Sequence, residues 1–124
     1  DLLVPRICQI NYLSRLINEK KIITKPTLSN FNKRNIKIIS PEFLFSKNIK
    51  FDLVFNSDSF TEIDFANQKK YEKYLKKNSK IFFSINHEYN QHKVSDFFKT
   101  KNLNKYSKNL YWLRKGYVEE KFIF

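Results

Sequence analysis

Glycine is the residue this sequence most nearly lacks: Gly116 is the only one among 124 residues. A phosphate-cradling loop or a dinucleotide fingerprint needs several glycines, because only a residue without Cβ lets the backbone come close to a phosphate. No such loop exists here, so a nucleotide-like ligand would have to be held partly by something outside this chain. Cysteine is equally scarce. The single Cys8 excludes an intramolecular disulfide and fits a reducing, cytoplasmic compartment. Long apolar runs are also missing. Pieces such as Ile81-Phe82-Phe83 fall far short of the roughly 20 residues that span a bilayer, so no membrane span is expected. Cys8, His87 and His92 make no recognisable ligand set, and no metal site is expected. There is no signal-peptide pattern. The chain starts at Asp1 rather than Met, which fits an N-terminal portion that lies outside it.

Apolar residues and positive charge are plentiful. Hydrophobic residues make up 41% and aromatics 17%, enough for the packed core of one ordinary domain covering residues 1–124. The formal net charge is +12, which raises the question of a basic nucleic-acid-binding module. The same chain is flooded with Asn, Ile and Phe as well as Lys, the residues an AT-rich coding sequence favours. Solvated lysine faces are then the plainer reading, and a phosphate-binding stripe is the alternative to it. In residues 65–77 the lysines alternate with apolar positions instead of pooling into one run, which argues against nucleic acid as the partner.

Periodicity outlines the elements. Val4 to Asn18 reads as a helix, with Pro5 in its first turn and Cys8, Tyr12, Leu13, Leu16 and Ile17 at helical spacing. Residues 19–35 read as an irregular basic connection, with a short extended piece at Lys21 to Thr24. Ile36 to Ile39 is a short strand ended by Ser40-Pro41, and Phe51 to Asn56 is a clearer one. Asp64 is positioned to cap a helix over 65–77, whose apolar stripe is Phe65, Tyr71, Tyr74 and Leu75. Lys80 to Asn86 is a third strand, and Val94, Phe97 and Phe98 mark a short helix. Asn109 to Leu113 and Tyr117 to Phe124 read as extended, with Gly116 at the turn between them. Helices alternating with strands imply a parallel sheet with crossover helices, closed by an antiparallel hairpin.

In open α/β sheets, ligands bind outside the carboxyl ends of the strands. The stretch FDLVFNSDSFTEI, residues 51–63, runs from a core strand straight into Asn56, Ser57, Asp58, Ser59 and Glu62. Ser40 and Glu42 follow the Ile36 strand, and Asn86, His87 and Glu88 follow the Ile81 strand. Any one of these polar residues is explained as a helix cap or a solvated loop. Their recurrence at consecutive strand ends points to a ligand crevice.

Four segments carry a resemblance. Asp52 to Ile63 resembles the fourth-strand motif of class I S-adenosylmethionine-dependent methyltransferases. More narrowly, its N-x-x-S-F-x-E pattern (Asn56, Ser59, Phe60, Glu62) resembles the sugar O-methyltransferases of polysaccharide biosynthesis, with Ile63 where Met is usual. Asp1-Leu2-Leu3-Val4-Pro5 is similar to an acidic turn after the second strand of that family. Ser84 to Glu88 is similar to the end of its fifth strand, and Leu110 to Glu120 to its W-L-R-x-G-Y-V-E-E closing segment. The resemblance covers only the back part of the family's catalytic domain; its first strand and glycine-rich cofactor loop have no counterpart. It implies a partial Rossmann-like three-layer α/β sandwich, mostly parallel, and either a fragment or a truncated, inactive product.

What the resemblance implies chemically is S-adenosyl-L-methionine as methyl donor and a sugar, nucleotide-sugar or glycan hydroxyl as acceptor. On that basis Asp1 binds the ribose hydroxyls, Ser40 lies near the adenine, and Asn56 and Ser57 flank the methionine part. Glu62 is the first choice of general base and His87 the second. Ser59, Asn86, Glu88 and Trp112 fall on the acceptor side, where Trp112 and Tyr111 offer a stacking wall; packing within the hairpin is the other role open to those rings. A non-catalytic remnant that keeps the fold is a further possibility.

Overall fold

The structure is a computed structural model and describes residues 3–18, 21–24, 27, 35–99, 103 and 105–124. The chain divides into two compact units, residues 1–48 and 49–124.

In the first unit, helix α1 spans Leu3–Leu16 with Pro5 in its first turn, where a missing N–H costs nothing. Strands β1 (Ile22–Ile23) and β2 (Ile36–Lys37) form a parallel pair in the register Ile22 to Ile36. Helix α2 spans Pro41–Ser46. Ser40 is its N-cap: the Phe43 N–H donates to Ser40 Oγ at 3.2 Å, and Pro41 occupies the first turn. Ser40-Pro41 therefore opens a helix as well as ending a strand. The expected single sheet is also corrected here. The Ile36 strand pairs only with β1 among the described residues, in a sheet separate from the one that contains Phe51–Ser57.

The second unit is mixed α/β around a four-stranded sheet. Its strands are β3 (Phe51–Ser57), β4 (Ser79–His87), β5 (Lys105–Leu110) and β6 (Tyr117–Ile123), in the spatial order β3-β4-β6-β5. β3 and β4 are parallel, with Asn56 beside Ser84. β6 runs antiparallel to both of its neighbours. Helix α3 (Phe65–Asn78) makes the crossover from β3 to β4. Its N-terminus is held by Asp64, whose Oδ1 accepts from the Asn67 N–H at 3.0 Å; Lys76 and Lys77 complement its C-terminal carbonyls. The short helix α4 (Val94–Phe98) is tied to α3 by Lys76 Nζ, which donates to the Phe97 carbonyl at 2.6 Å.

Strand alternation puts one face of this sheet in the core. Phe82, Ser84 and Asn86 of β4 and Val118, Glu120 and Phe122 of β6 are all buried. Phe82, Phe98 and Phe122 are essentially inaccessible, and the Phe82–Phe98 ring centroids are 4.6 Å apart. Phe60 closes this cluster from the 3-10 turn Phe60–Glu62, at 5.3 Å from Phe98. The buried face of α3 is Gln68, Tyr74, Leu75 and Asn78; Phe65, expected in its apolar stripe, is half exposed and packs at a tilt on His92 and Phe97. On the opposite face of the sheet, Leu53 and Phe55 are 57% and 59% exposed.

The hairpin is displaced from its expected limits. The strand before the turn is Lys105–Leu110, and residues 111–116 form the connection. Gly116 adopts φ +83°, the left-handed conformation that glycine tolerates best. Trp112 is therefore a turn residue, 85% exposed, and not part of the hairpin packing.

Candidate functional site

The parallel pairing of β3 and β4 brings their carboxyl ends to one edge. Asn56 lies beside Ser84, and Asn86 is two residues beyond Ser84 on the same face. Asn86 Nδ2 donates to Asn56 Oδ1 at 2.6 Å and to Ser84 Oγ at 2.5 Å. Asn86 Oδ1 accepts from Thr61 Oγ1 at 3.2 Å, and Thr61 Oγ1 accepts from Asn90 Nδ2 at 2.6 Å. Asn56 Nδ2 donates to Ser59 Oγ at 2.5 Å. The network rises from a dry floor, Ser84 and Asn86, through half-buried Asn56, Thr61 and Asn90 to exposed Ser59. Neutral amides and hydroxyls arranged this way both donate and accept, which suits a ligand rich in hydroxyls.

A second cluster lies on the other face of the same edge. Asp58 follows β3 in a left-handed conformation, φ 52°, anchored by its N–H to the Ile85 carbonyl at 3.0 Å. Its carboxylate accepts from Arg114 Nη1, and the Arg114 guanidinium lies 4.0 Å from the Tyr117 ring centre. The Tyr117 hydroxyl donates to Asp58, and losing that bond on ionisation raises its pKa. His87 is paired with Tyr117 across the strands, with its ring 5.1 Å from Tyr117 and 5.0 Å from Tyr89. His87 Nδ1 accepts from the Tyr89 N–H at 3.3 Å. The closing segment of the sequence thus folds back on the loop after β3.

Of the residues singled out from sequence, Asn56, Ser59 and Asn86 share the first network. Ser57 is exposed and points to the opposite face from Asn56. Glu62 is exposed at the end of the 3-10 turn, and its charge helps raise the pKa of Tyr117. His87 lies on the Tyr117 face, so neither base candidate belongs to the Asn86 network. Glu88 is engaged in an ion pair with Lys108 at 2.5 Å. Trp112 stands out in solvent. Ser40 caps α2 in the other unit. Asp1 lies outside the described residues. Among the described residues no group of His, Cys, Asp and Glu is arranged to hold a metal ion.

Sequence reasoning missed Thr61, Asn90 and the Asp58–Arg114–Tyr117 cluster. Ser84 and Asn86 carried a readable signal: they continue the buried i, i+2 face set by Phe82, so their polar groups must find partners inside. Arg114 carried none, because its partner is 56 residues away.

A further buried acid, Glu120, sits at the centre of the sheet. Burial raises its pKa, opposed by the bond from the Tyr106 hydroxyl to Glu120 Oε1 at 2.6 Å. A groove of about 560 Å³ is lined by Glu88, Tyr89, Lys93, Lys108, Gly116 and Tyr117. No protein-family model, curated protein or solved structure matches this chain.

Proposed function

We propose that this chain takes part in S-adenosylmethionine-dependent methyl transfer to a sugar hydroxyl, as the back part of a Rossmann-like three-layer domain. The observation that carries the reading is the Asn86–Asn56 bond. The penultimate residues of two parallel strands, joined by a crossover helix, meet at the carboxyl edge where such folds hold ligands. The antiparallel β6 beside β4 agrees with the closing hairpin the resemblance implies. The exposed apolar face at Leu53 and Phe55 agrees with a sandwich that needs a further layer.

The residues present suit one part of the cofactor. The amide of Asn56, tethered to buried Asn86, suits the polar methionine end, and no described residue grips the nucleoside in the manner of a glycine-rich loop. When bound, the cofactor supplies an electrophilic methyl group. The chain's part is alignment and proton removal. Ser59, bonded to Asn56, holds the hydroxyl-bearing acceptor in one orientation. Glu62 is the better proton acceptor. Nδ1 of His87 is occupied by the Tyr89 N–H, so the neutral ring carries its proton on Nε2 and has no free lone pair. The carboxylate of Glu62 stands exposed at the rim of the same loop.

Calorimetric titration with S-adenosylhomocysteine tests this, alongside single-stranded DNA at two salt concentrations. Saturable cofactor binding, weakened by Asn56→Ala, is the expected result. Steeply salt-sensitive DNA binding with no cofactor binding would overturn the proposal in favour of a nucleic-acid-binding module.

A further inference from the structure

The turn that joins β5 to β6 presents an apolar tip that nothing in the second unit covers. Leu110 and Trp112 are 84% and 85% exposed and Leu113 58%, and Tyr89 beside them is 83% exposed. A Cβ placed on Gly116 would lie 3.3 Å from the Tyr89 ring, so the loop after β4 and the hairpin turn form one surface. Scattered exposed apolar residues are ordinary, but four large ones at one end of a sheet mark a contact surface.

Two acidic groups beside the tip are already engaged in ion pairs. Glu88 is neutralised by Lys108, and Asp58 by Arg114. Lys93, which lines the groove with Tyr89 and whose N–H is bonded to Asp96, and exposed Lys115 carry ammonium groups in no ion pair among the described residues. The tip is also held in shape. The Tyr111 N–H donates to the Tyr117 carbonyl at 2.9 Å, and Arg114 is fastened to Asp58, so docking orders little that is not already ordered.

We propose that this hairpin tip is an interfacial membrane contact, with Leu110, Trp112, Leu113 and Tyr89 entering the headgroup region of an anionic bilayer and Lys93 and Lys115 meeting its lipid phosphates. Tryptophan and tyrosine with aliphatic neighbours and a basic rim are the side chains that settle at a lipid interface. The leucines decide against nucleic acid: aliphatic tips gain nothing from base stacking, which aromatic rings alone provide. The surface is separate from the Asn56–Asn86 network and does not depend on the methyl-transfer reading.

Trp112 is the only tryptophan, so the unmodified chain reports on its own contact. Vesicles of phosphatidylcholine mixed with phosphatidylglycerol should shift Trp112 emission to the blue and carry the protein down on sedimentation. Vesicles of phosphatidylcholine alone should do so far less, and inorganic phosphate not at all. The double variant Lys93→Glu/Lys115→Glu, at exposed positions that leave circular dichroism unchanged, should lower partitioning by more than the roughly 30-fold expected from losing two basic residues. Trp112→Ala should weaken sedimentation with the fold intact. The proposal is overturned by anionic vesicles that neither shift the emission nor sediment the protein. It is equally overturned if single-stranded DNA alone produces the shift, or if the shift follows protein concentration without lipid, as self-association would. Binding of S-adenosylhomocysteine is measured without vesicles, so the two readings fail separately.

Discussion

Replacing Asn86 with Ala removes the node of the strand-end network, and the cost follows from what is stranded. Three hydrogen bonds are lost: two donated by Nδ2, to Asn56 and Ser84, and one accepted from Thr61. Each contributes about 0.5–1.5 kcal/mol net, and a buried partner left unsatisfied adds about 1–3 kcal/mol. Buried Ser84 keeps only its long bond to Asn56 Oδ1, at 3.5 Å, whereas half-buried Asn56 and Thr61 recover part of their loss from water. The expected destabilisation is therefore about 2–4 kcal/mol, a fall in melting temperature of roughly 10 °C for a chain of this size. Asn56→Ala, at the wet end, should cost about 1–2 kcal/mol less, since water replaces more of its bonding. Urea denaturation of the two single variants and the double variant measures both the ranking and the coupling, which should be at least about 0.5 kcal/mol for residues in direct contact. If Asn86→Ala costs no more than an ordinary surface change, or if Asn56 and Asn86 prove additive, the strand ends are not held by this network and the site loses its frame.

Gly116→Ala should destabilise by about 1–2 kcal/mol, because alanine is strained at positive φ and its Cβ would come within 3.0 Å of His87 Nε2. Adding His87→Ala should restore only the part due to the clash, read from the same urea curves. Glu120 has a folded-state pKa raised by burial, so its contribution to stability is complete below the ordinary carboxylate range and is lost as pH rises through the raised value. Glu120→Gln should flatten that dependence, leaving the variant more stable than the parent at neutral pH and not at acid pH; parallel denaturation profiles for the two proteins would refute it.

Much of the second unit could be read before its structure. The short apolar runs at Phe51–Phe55 and Ile81–Phe83 announce strands, and Asp64 ahead of a lysine-and-tyrosine stripe announces a capped helix, because each depends on near neighbours in sequence. Pairing was harder. Ile36–Lys37 has the composition of a sheet strand, but a two-residue strand carries no information about its partner, and it joined Ile22–Ile23. The site divides the same way. Asn56 and Asn86 were visible because they end strong strands. The Arg114–Asp58 pair, Thr61 and Asn90 were not, since side chains from distant loops meet only after the sheet has set their positions. Trp112 shows the limit of composition: an aromatic in an extended-looking segment suggests packing, and the turn at Gly116 instead leaves it in water.

The position of β6 has a consequence for biosynthesis. Within the four-stranded sheet, β4 and β5 are joined only through Tyr117–Ile123, which leaves the ribosome after both of them. On a nascent chain the parallel β3–β4 pair must therefore wait with the flank of β4 unprotected until that strand is released. A stop codon before Tyr117 would remove an inner strand, with Phe122 from the middle of the core, and would leave a product fit for chaperones or proteolysis, not merely a shortened protein.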